Sequence, residues 1–166
     1  MFFAEEIRFD YPGEKITERE ISEIDDFPGR EDFIAFYTAH NGGDFIDGAC
    51  FFPEDGYNVS AIGKSYITLS LFLEICVDNG SADGKFRALN QDVMKYLIEE
   101  KYEGFEDFIL FHIPFALDQT ENPFWIDIQT GEIKYTDFEA STNPDEAVTV
   151  ASSFKNFCER IRKRNI

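Results

Sequence analysis

The sequence predicts one α+β domain, residues 1–166, with a mainly antiparallel β-sheet and helices packed on one side of it. Two helical patterns come first, a run of strand patterns with one inserted helix follows, and a helix ends the chain. The length suits a single folding unit. Hydrophobic residues make up 43% of the chain and include 19 Phe, which is enough apolar side chain to form a core.

The first helix is predicted from its N-terminal signals. Thr17 followed by Glu20 is the pattern of a capping box, and Ile16 and Ile21 occupy the two positions of a hydrophobic staple. The helix should therefore start at Thr17 and bury Ile21 and Ile24. Pro28-Gly29 is predicted to end this unit.

A second helix is predicted from about Arg30. Its broad apolar face consists of Phe33, Ile34, Phe36 and Tyr37. Asn41-Gly42-Gly43 supplies residues that adopt left-handed backbone conformations and should stop the helix.

The central part of the chain, from Asp44 to Ile75, is strand-like. It contains Phe45, Ile46, Phe51 and Phe52, then a segment from Tyr57 to Ile62, then an alternating segment from Tyr66 to Leu71. Asp78 to Gly84 is predicted to be a polar loop, and Asn90 to Glu99 a short helix.

The C-terminal part predicts a strand, a hairpin and a helix. Phe108 to Leu117 has the pattern of a buried strand bent at Pro114, and Trp125–Ile128 with Ile133–Tyr135 form a hairpin across residues 129–132. The last helix should begin near Ala151 or Ser152. Its apolar stripe is Phe154, Phe157, Cys158 and Ile161, and its terminal cations would suit the negative end of the helix dipole.

The charge excludes a general binder of phosphate backbones. The chain has 33 acidic and 15 basic residues, a net charge of −18, and nucleic-acid affinity depends on Lys and Arg. Five cations and one anion lie between Lys155 and Arg164, so residues 1–154 carry a net charge of −22. Such a field repels anionic substrates and speeds encounter with basic partners.

Targeting signals and cysteine spacing favour a cytoplasmic protein. The N-terminus lacks the basic region of a secretory signal, and no apolar run approaches the roughly 20 residues that span a bilayer. Cys50, Cys76 and Cys158 are far apart in apolar sequence, which is typical of small core residues rather than a disulfide framework.

Patterns for metal binding and catalysis are weak. Asn79, Ser81, Asp83 and Gly84 fit the first half of a calcium loop, but Asn90 stands where a bidentate Glu is needed. His40 and His112 have no zinc-ligand spacing and are interpreted as structural. There is no nucleophile elbow and no phosphate-binding loop, so we expect no enzyme activity, metal or cofactor, although a catalytic carboxylate pair remains an alternative.

The basic C-terminal segment has two interpretations. It could be a nucleic-acid patch, but no aromatic residues are interleaved with its cations. Helix capping and solubility are favoured.

The ordered set of these signals resembles the SUKH superfamily, the Smi/Knr-like proteins. The N-terminal half carries the resemblance through Ile21 and Ile24, Pro28, Phe33-Ile34-x-Phe36-Tyr37 and Asn41-Gly42-Gly43. The C-terminal half carries it through Ile113-Pro114-Phe115-Ala116-x-Asp118, Phe124-Trp125-Ile126-Asp127, Thr130-Gly131-Glu132-Ile133 and Ala151-Ser152-Ser153-Phe154-x-x-Phe157. The resemblance covers residues 16–161.

The resemblance implies a SUKH-like α+β fold and, as in bacterial members, an immunity protein that neutralises a toxin domain by stoichiometric binding. The acidic body favours a basic toxin, such as a nuclease, over nucleic acid or a membrane as the partner. We predict that exposed carboxylates near turns form the interface: Asp44, Asp47, Asp118, Glu121 and Asp127. The alternative is a regulatory or scaffold protein that binds an endogenous protein.

Overall fold

The computed structural model describes residues 2–4, 7–22, 24–57, 63, 65–75 and 104–164. These residues form one antiparallel sheet of eight strands. In chain order the strands are β1 (Phe9–Asp10), β2 (Gly43–Phe51), β3 (Ile67–Phe72), β4 (His112–Asp118), β5 (Pro123–Asp127), β6 (Ile133–Tyr135), β7 (Val148–Ala151) and β8 (Ile161–Lys163). The antiparallel α+β class predicted from the sequence is confirmed.

The strand order is β1-β2-β3-β4-β5-β6-β7, and β8 also pairs with β2. β3 occupies one side of β2, so β1 and β8 share the other side. β1 pairs with Asp44 and Phe45, whereas β8 pairs with residues 49–51. The two short strands therefore lie one after the other along β2, and we call this side of the sheet the β2 edge.

The first helix, α1 (Glu18–Ile21), has the predicted capping box. Thr17 Oγ1 accepts a hydrogen bond from the Glu20 N–H at 3.3 Å, and Glu20 Oε2 accepts one from the Thr17 N–H at 2.7 Å. Ile16, Ile21 and Ile24 are all buried, as predicted, although Ile24 lies in the loop after the helix.

The second helix, α2 (Arg30–Ala39), begins at the predicted residue and buries Phe33, Phe36 and Tyr37. The predicted stop is also confirmed. Asn41 is buried, and its side chain bonds to both the N–H and the C=O of Ile75. Gly42 has a φ of +70°, and a Cβ there would lie 2.7 Å from the backbone nitrogen of Glu74.

The main core lies between the sheet and the helices α1, α2 and α4 (Phe154–Glu159). Phe157 of α4 stacks on Phe51 of β2 with ring centroids 4.3 Å apart, and Phe154 contacts Phe33 of α2. Each fully buried Phe contributes about 1.5–3 kcal/mol through removal of apolar surface from water. None of the helices in the described part of the chain combines the length and apolar character needed to cross a bilayer.

Two predictions about the sheet and its helices are wrong in part. Residues 105–108 form a short helix, α3 (Phe105–Phe108), and the strand begins only at His112. α3 does not share the side of the other helices, because it packs on Trp125, whose neighbours Phe124 and Ile126 face the main core. Alternation along β5 points the indole to the opposite face, where α3 covers it.

The C-terminal segment also differs from its prediction. α4 ends at Glu159, and buried Ile161 belongs to β8 rather than to a helical stripe. Arg160 donates to the carbonyl oxygens of Phe52 and Pro53, which helps to draw the chain into pairing with β2. The cations therefore lie on and beside a strand rather than in a helix, although Arg162 donates to the carbonyl oxygen of Glu159, the last residue of α4.

The predicted hairpin is confirmed, with β5 and β6 in register across Ile126 and Ile133. Cys50 and Cys158 are buried free thiols, and burial raises the pKa of both. The strand predicted after Tyr57, the loop at 78–84, the helix at 90–99, the calcium-like loop and Cys76 lie outside the described residues.

Candidate protein-binding surface

Asp118, at the end of β4, is a buried structural carboxylate with 3% of its surface exposed. The Tyr135 hydroxyl donates to it at 2.7 Å, and the backbone N–H groups of Thr120 and Asn122 donate to it at 2.7 and 2.9 Å. The prediction that Asp118 is an exposed partner-binding residue is wrong. The tight β4–β5 turn needs an acceptor for the buried N–H of Asn122 and the part-buried N–H of Thr120, and Asp118 supplies it.

Asp127, at the end of β5, is also mainly structural. Its side chain is 13% exposed, and its Oδ1 accepts from the N–H groups of Gln129 and Thr130 in the β5–β6 turn. Its Oδ2 lies 3.7 Å from His112 Nε2. Asp127 is therefore not the exposed interface residue that the sequence predicts.

His112 lies in β4 with its ring stacked on Phe108 at 3.7 Å. Its Nδ1 donates to the Phe108 carbonyl oxygen at 2.8 Å, whereas its Nε2 is buried without a hydrogen-bond partner. Burial lowers the pKa of His112 and outweighs the opposing effects of that carbonyl and of Asp127. This arrangement favours the neutral ring and fits the structural role predicted for His112.

Asp44, Asp47 and Glu121 are exposed, in agreement with their prediction. Asp47 forms an ion pair with Arg8 at 3.1 Å on the open surface. Glu121 lies in the β4–β5 turn with a φ of +65°. The structure thus leaves three of the five predicted carboxylates available to solvent.

Asp44 faces a second carboxylate across two strands. Asp10 of β1 is its direct cross-strand partner, and both side chains are exposed. The next residue, Tyr11, is 72% exposed with a φ of +58°, and its N–H donates to the Asp10 carboxylate at 2.8 Å. We call Asp10, Tyr11 and Asp44 the acidic end of the β2 edge.

The opposite end of the β2 edge is basic. Arg162 of β8 is the cross-strand partner of Cys50, and the Arg164 N–H points to the Gly48 carbonyl oxygen at 3.5 Å. Asp44 directly precedes core-facing Phe45, and Cys50 directly precedes core-facing Phe51, so both lie on the outer face of the sheet. We call Arg162 and Arg164 the basic end.

Exposed apolar side chains accompany these charges. Ile46 of β2 is 37% exposed between the two ends. Phe52 and Tyr66, 42% and 47% exposed, contact each other with ring centroids 5.7 Å apart beyond the basic end. Aromatic residues ringed by charge are typical of protein interfaces.

Sequence reasoning missed Asp10 and Tyr11. Strand β1 has only two residues, which is too short to produce a periodic pattern. The Tyr11-Pro12-Gly13 turn signal was the available clue, because an exposed turn often carries binding residues. Pairing of β1 with β2 then brings Asp10 beside the predicted Asp44.

Within the residues that the structure describes, no group of three or more His, Cys, Asp or Glu side chains is arranged to hold a metal ion. The β2 edge presents exposed carboxylates, guanidinium groups and aromatic rings to solvent. In comparisons with protein-family models, curated proteins and solved structures, the chain matched none.

Proposed function

We propose that this protein is an immunity protein of the SUKH type that binds a basic toxin domain and blocks it by stoichiometric occlusion. The proposal rests on the resemblance described above and on the acidic end of the β2 edge. The toxin's basic substrate cleft would receive Asp10 and Asp44, which take the place of substrate phosphates.

The observation that carries the proposal is the pairing of Asp10 with Asp44. Like charges directly opposite each other on neighbouring strands destabilise a sheet, by a few tenths to about 1 kcal/mol. No cation among the described residues forms an ion pair with either carboxylate. A basic partner would convert this repulsion into attraction, which gives the pair a role in binding.

Tyr11 supports the same conclusion. It lies next to Asp10 with most of its ring in water, and its backbone is held by the bond to the Asp10 carboxylate. Tyrosine is enriched among the residues that dominate binding energy, because a large ring with few rotatable bonds loses little entropy on contact.

The test is rescue of bacteria that express the toxin domain encoded beside this gene. Wild-type protein should restore growth, and Asp10→Asn with Asp44→Asn should abolish rescue and binding. The same double variant should unfold at a temperature equal to or above that of the wild type, because it relieves the repulsion. Loss of rescue would then reflect binding and not folding.

Glu139→Gln with Asp145→Asn is the matched control. Both residues are exposed in the β6–β7 connection, and the pair removes the same charge. This control should rescue like the wild type. The proposal fails if the acidic-end variant still rescues, or if no toxin-like neighbour exists. Capture of an endogenous protein through the acidic end would instead support the regulatory alternative.

A further inference from the structure

The β2 edge has opposite charges at its two ends. Asp44 pairs with Asp10 near the start of β2, and Cys50 pairs with Arg162 near its end. Cys50 lies six positions after Asp44, which corresponds to at most about 20 Å along a strand, and the irregularity of β2 between Asp44 and Ala49 shortens this distance. The acidic and basic ends therefore lie on the same face of the sheet, close enough for one partner protein to contact both.

The cations of the basic end are not neutralised by the described carboxylates. Arg162 Nη1 donates to the carbonyl oxygens of Glu159 and Ile161, and Arg164 Nη1 donates to the side-chain oxygen of Gln119. All of these acceptors are uncharged. Each guanidinium has five N–H donors, so most of its donors remain for another acceptor.

Exposed apolar surface lies between and beside these charges. Ile46 is located between the two ends, and the ring pair of Phe52 and Tyr66 flanks the basic end. An edge that carries exposed Ile46 and the Arg8–Asp47 ion pair between ends of opposite charge has the composition of a contact surface.

We propose that the β2 edge binds the β2 edge of a second copy of this chain in an antiparallel, two-fold symmetric dimer. A two-fold axis near Asp47 and Gly48 would bring the acidic end of each copy to the basic end of the other. The contact between an acidic and a basic end then forms twice, and the exposed Ile46 side chains approach each other at the axis. A partner for this edge needs the reversed order of charges, and a second copy rotated by 180° has that order.

The net charge of −18 opposes this association, and the ionic contacts favour it. At physiological salt the Debye length is about 8 Å, so repulsion between distant charges is screened more strongly than attraction at contact. The dimer is therefore expected at about 0.15 M salt and micromolar concentrations. Its formation requires no toxin, although a toxin at the acidic end would compete with the partner copy.

The test uses charge reversal at each end, measured by sedimentation velocity. Asp44→Lys places like charges at both contacts of the dimer, as does Arg162→Glu, so each variant alone should be monomeric. A mixture of the two variants at equal concentrations should form a heterodimer. In that heterodimer the introduced lysine meets the introduced glutamate at one contact, and the unchanged Arg162 meets the unchanged Asp44 at the other. Arg164→Glu serves as the second basic-end variant if Arg162→Glu does not fold.

Two control variants have the same charge changes away from the edge. Asp145→Lys lies in the 3₁₀ turn Pro144–Glu146, and Lys155→Glu lies on the exposed side of α4. Both should dimerise like the wild type. The proposal is overturned if the wild type is monomeric at about 200 µM, if either edge variant dimerises alone, or if the mixture stays monomeric.

Discussion

Aspartate has opposite roles at two positions of this chain, and burial decides between them. Asp118 is enclosed and accepts hydrogen bonds from Tyr135, Thr120 and Asn122, so its charge stabilises a turn. Asp44 is exposed opposite Asp10, so its charge is available to a partner. The sequence places both residues beside turn signals, and their spacing alone does not distinguish them.

Replacement of Asp118 by Ala should destabilise the fold strongly. It leaves the Tyr135 hydroxyl and the Asn122 N–H buried without their acceptor, and the part-buried Thr120 N–H without its partner, at a cost of about 2–4 kcal/mol. Urea unfolding would measure the loss in the free energy of unfolding. Glu121→Ala in the same turn should change it by less than about 0.5 kcal/mol, because that side chain is exposed. Equal effects of the two substitutions would contradict the structural role of Asp118.

His112 should make the fold less stable in mild acid. Burial lowers its pKa below the value of about 6.5 expected in the unfolded chain, so unfolding takes up a proton. Asp127 of β5 opposes this shift and Lys134 of β6 adds to it. The stability from neutral His112 is fully present above about pH 6.5 and is lost as the pH falls through the folded pKa.

The measurement compares the free energy of unfolding at about pH 7.5 and about pH 5.5. His112→Asn should remove the part of the difference that comes from this ring. His40→Asn, at the exposed end of α2, should retain it. An unchanged difference in His112→Asn would show that the ring does not drive the acid sensitivity.

At the scale of elements, the sequence predicted the structures that depend on neighbouring residues. It did not predict the strands that form by pairing with a distant part of the chain. The capping box at Thr17, the helix stop at Asn41 and the β5–β6 hairpin depend on neighbours within a few residues. β8 forms by pairing with a strand more than 100 residues earlier. Its basic residues are as compatible with the end of a helix as with a strand, so the local sequence did not distinguish the two. The β2 edge could not be predicted for this reason, because both β1 and β8 exist only through contact with β2.

The β5–β6 turn illustrates such a contact and supports a prediction. Gly131 has a φ of +75°, and a Cβ there would overlap the Pro28 carbonyl oxygen in the loop between α1 and α2. Gly56 has a φ of +96° with nothing within 4 Å of its Cβ position. Both Gly→Ala variants pay about 1–2 kcal/mol for the left-handed backbone, and Gly131→Ala adds the cost of separating the turn from the loop.

Thermal unfolding should therefore show a larger decrease in Tm for Gly131→Ala than for Gly56→Ala. The two substitutions share chemistry and backbone strain, so their difference isolates the packing of the turn against Pro28. Equal decreases in Tm would mean that the α1–α2 loop moves away from the added methyl group without loss of stability.

At the scale of the whole molecule, repulsion within the net charge of −18 lowers the stability of the folded state. Surface ion pairs with exposed carboxylates, such as Arg8–Asp47, Arg30–Asp26 and Arg160–Asp55, offset little of it, because such pairs contribute about 0–1 kcal/mol each. The remaining carboxylates repel one another across the surface. The same carboxylates would attract the basic partner of the proposed function.

This repulsion predicts that salt stabilises the protein. Raising sodium chloride from about 0.01 M to about 0.3 M shortens the Debye length from about 30 Å to about 6 Å, so repulsion between distant carboxylates is lost before contact ion pairs weaken. The Tm at neutral pH should rise over this range. A variant with Glu14→Gln, Glu139→Gln and Glu159→Gln removes three exposed charges outside the β2 edge. It should start from a higher Tm and respond less to salt, because less repulsion remains to be screened. A fall in the wild-type Tm with salt would mean that attractive pairs outweigh the repulsion among carboxylates.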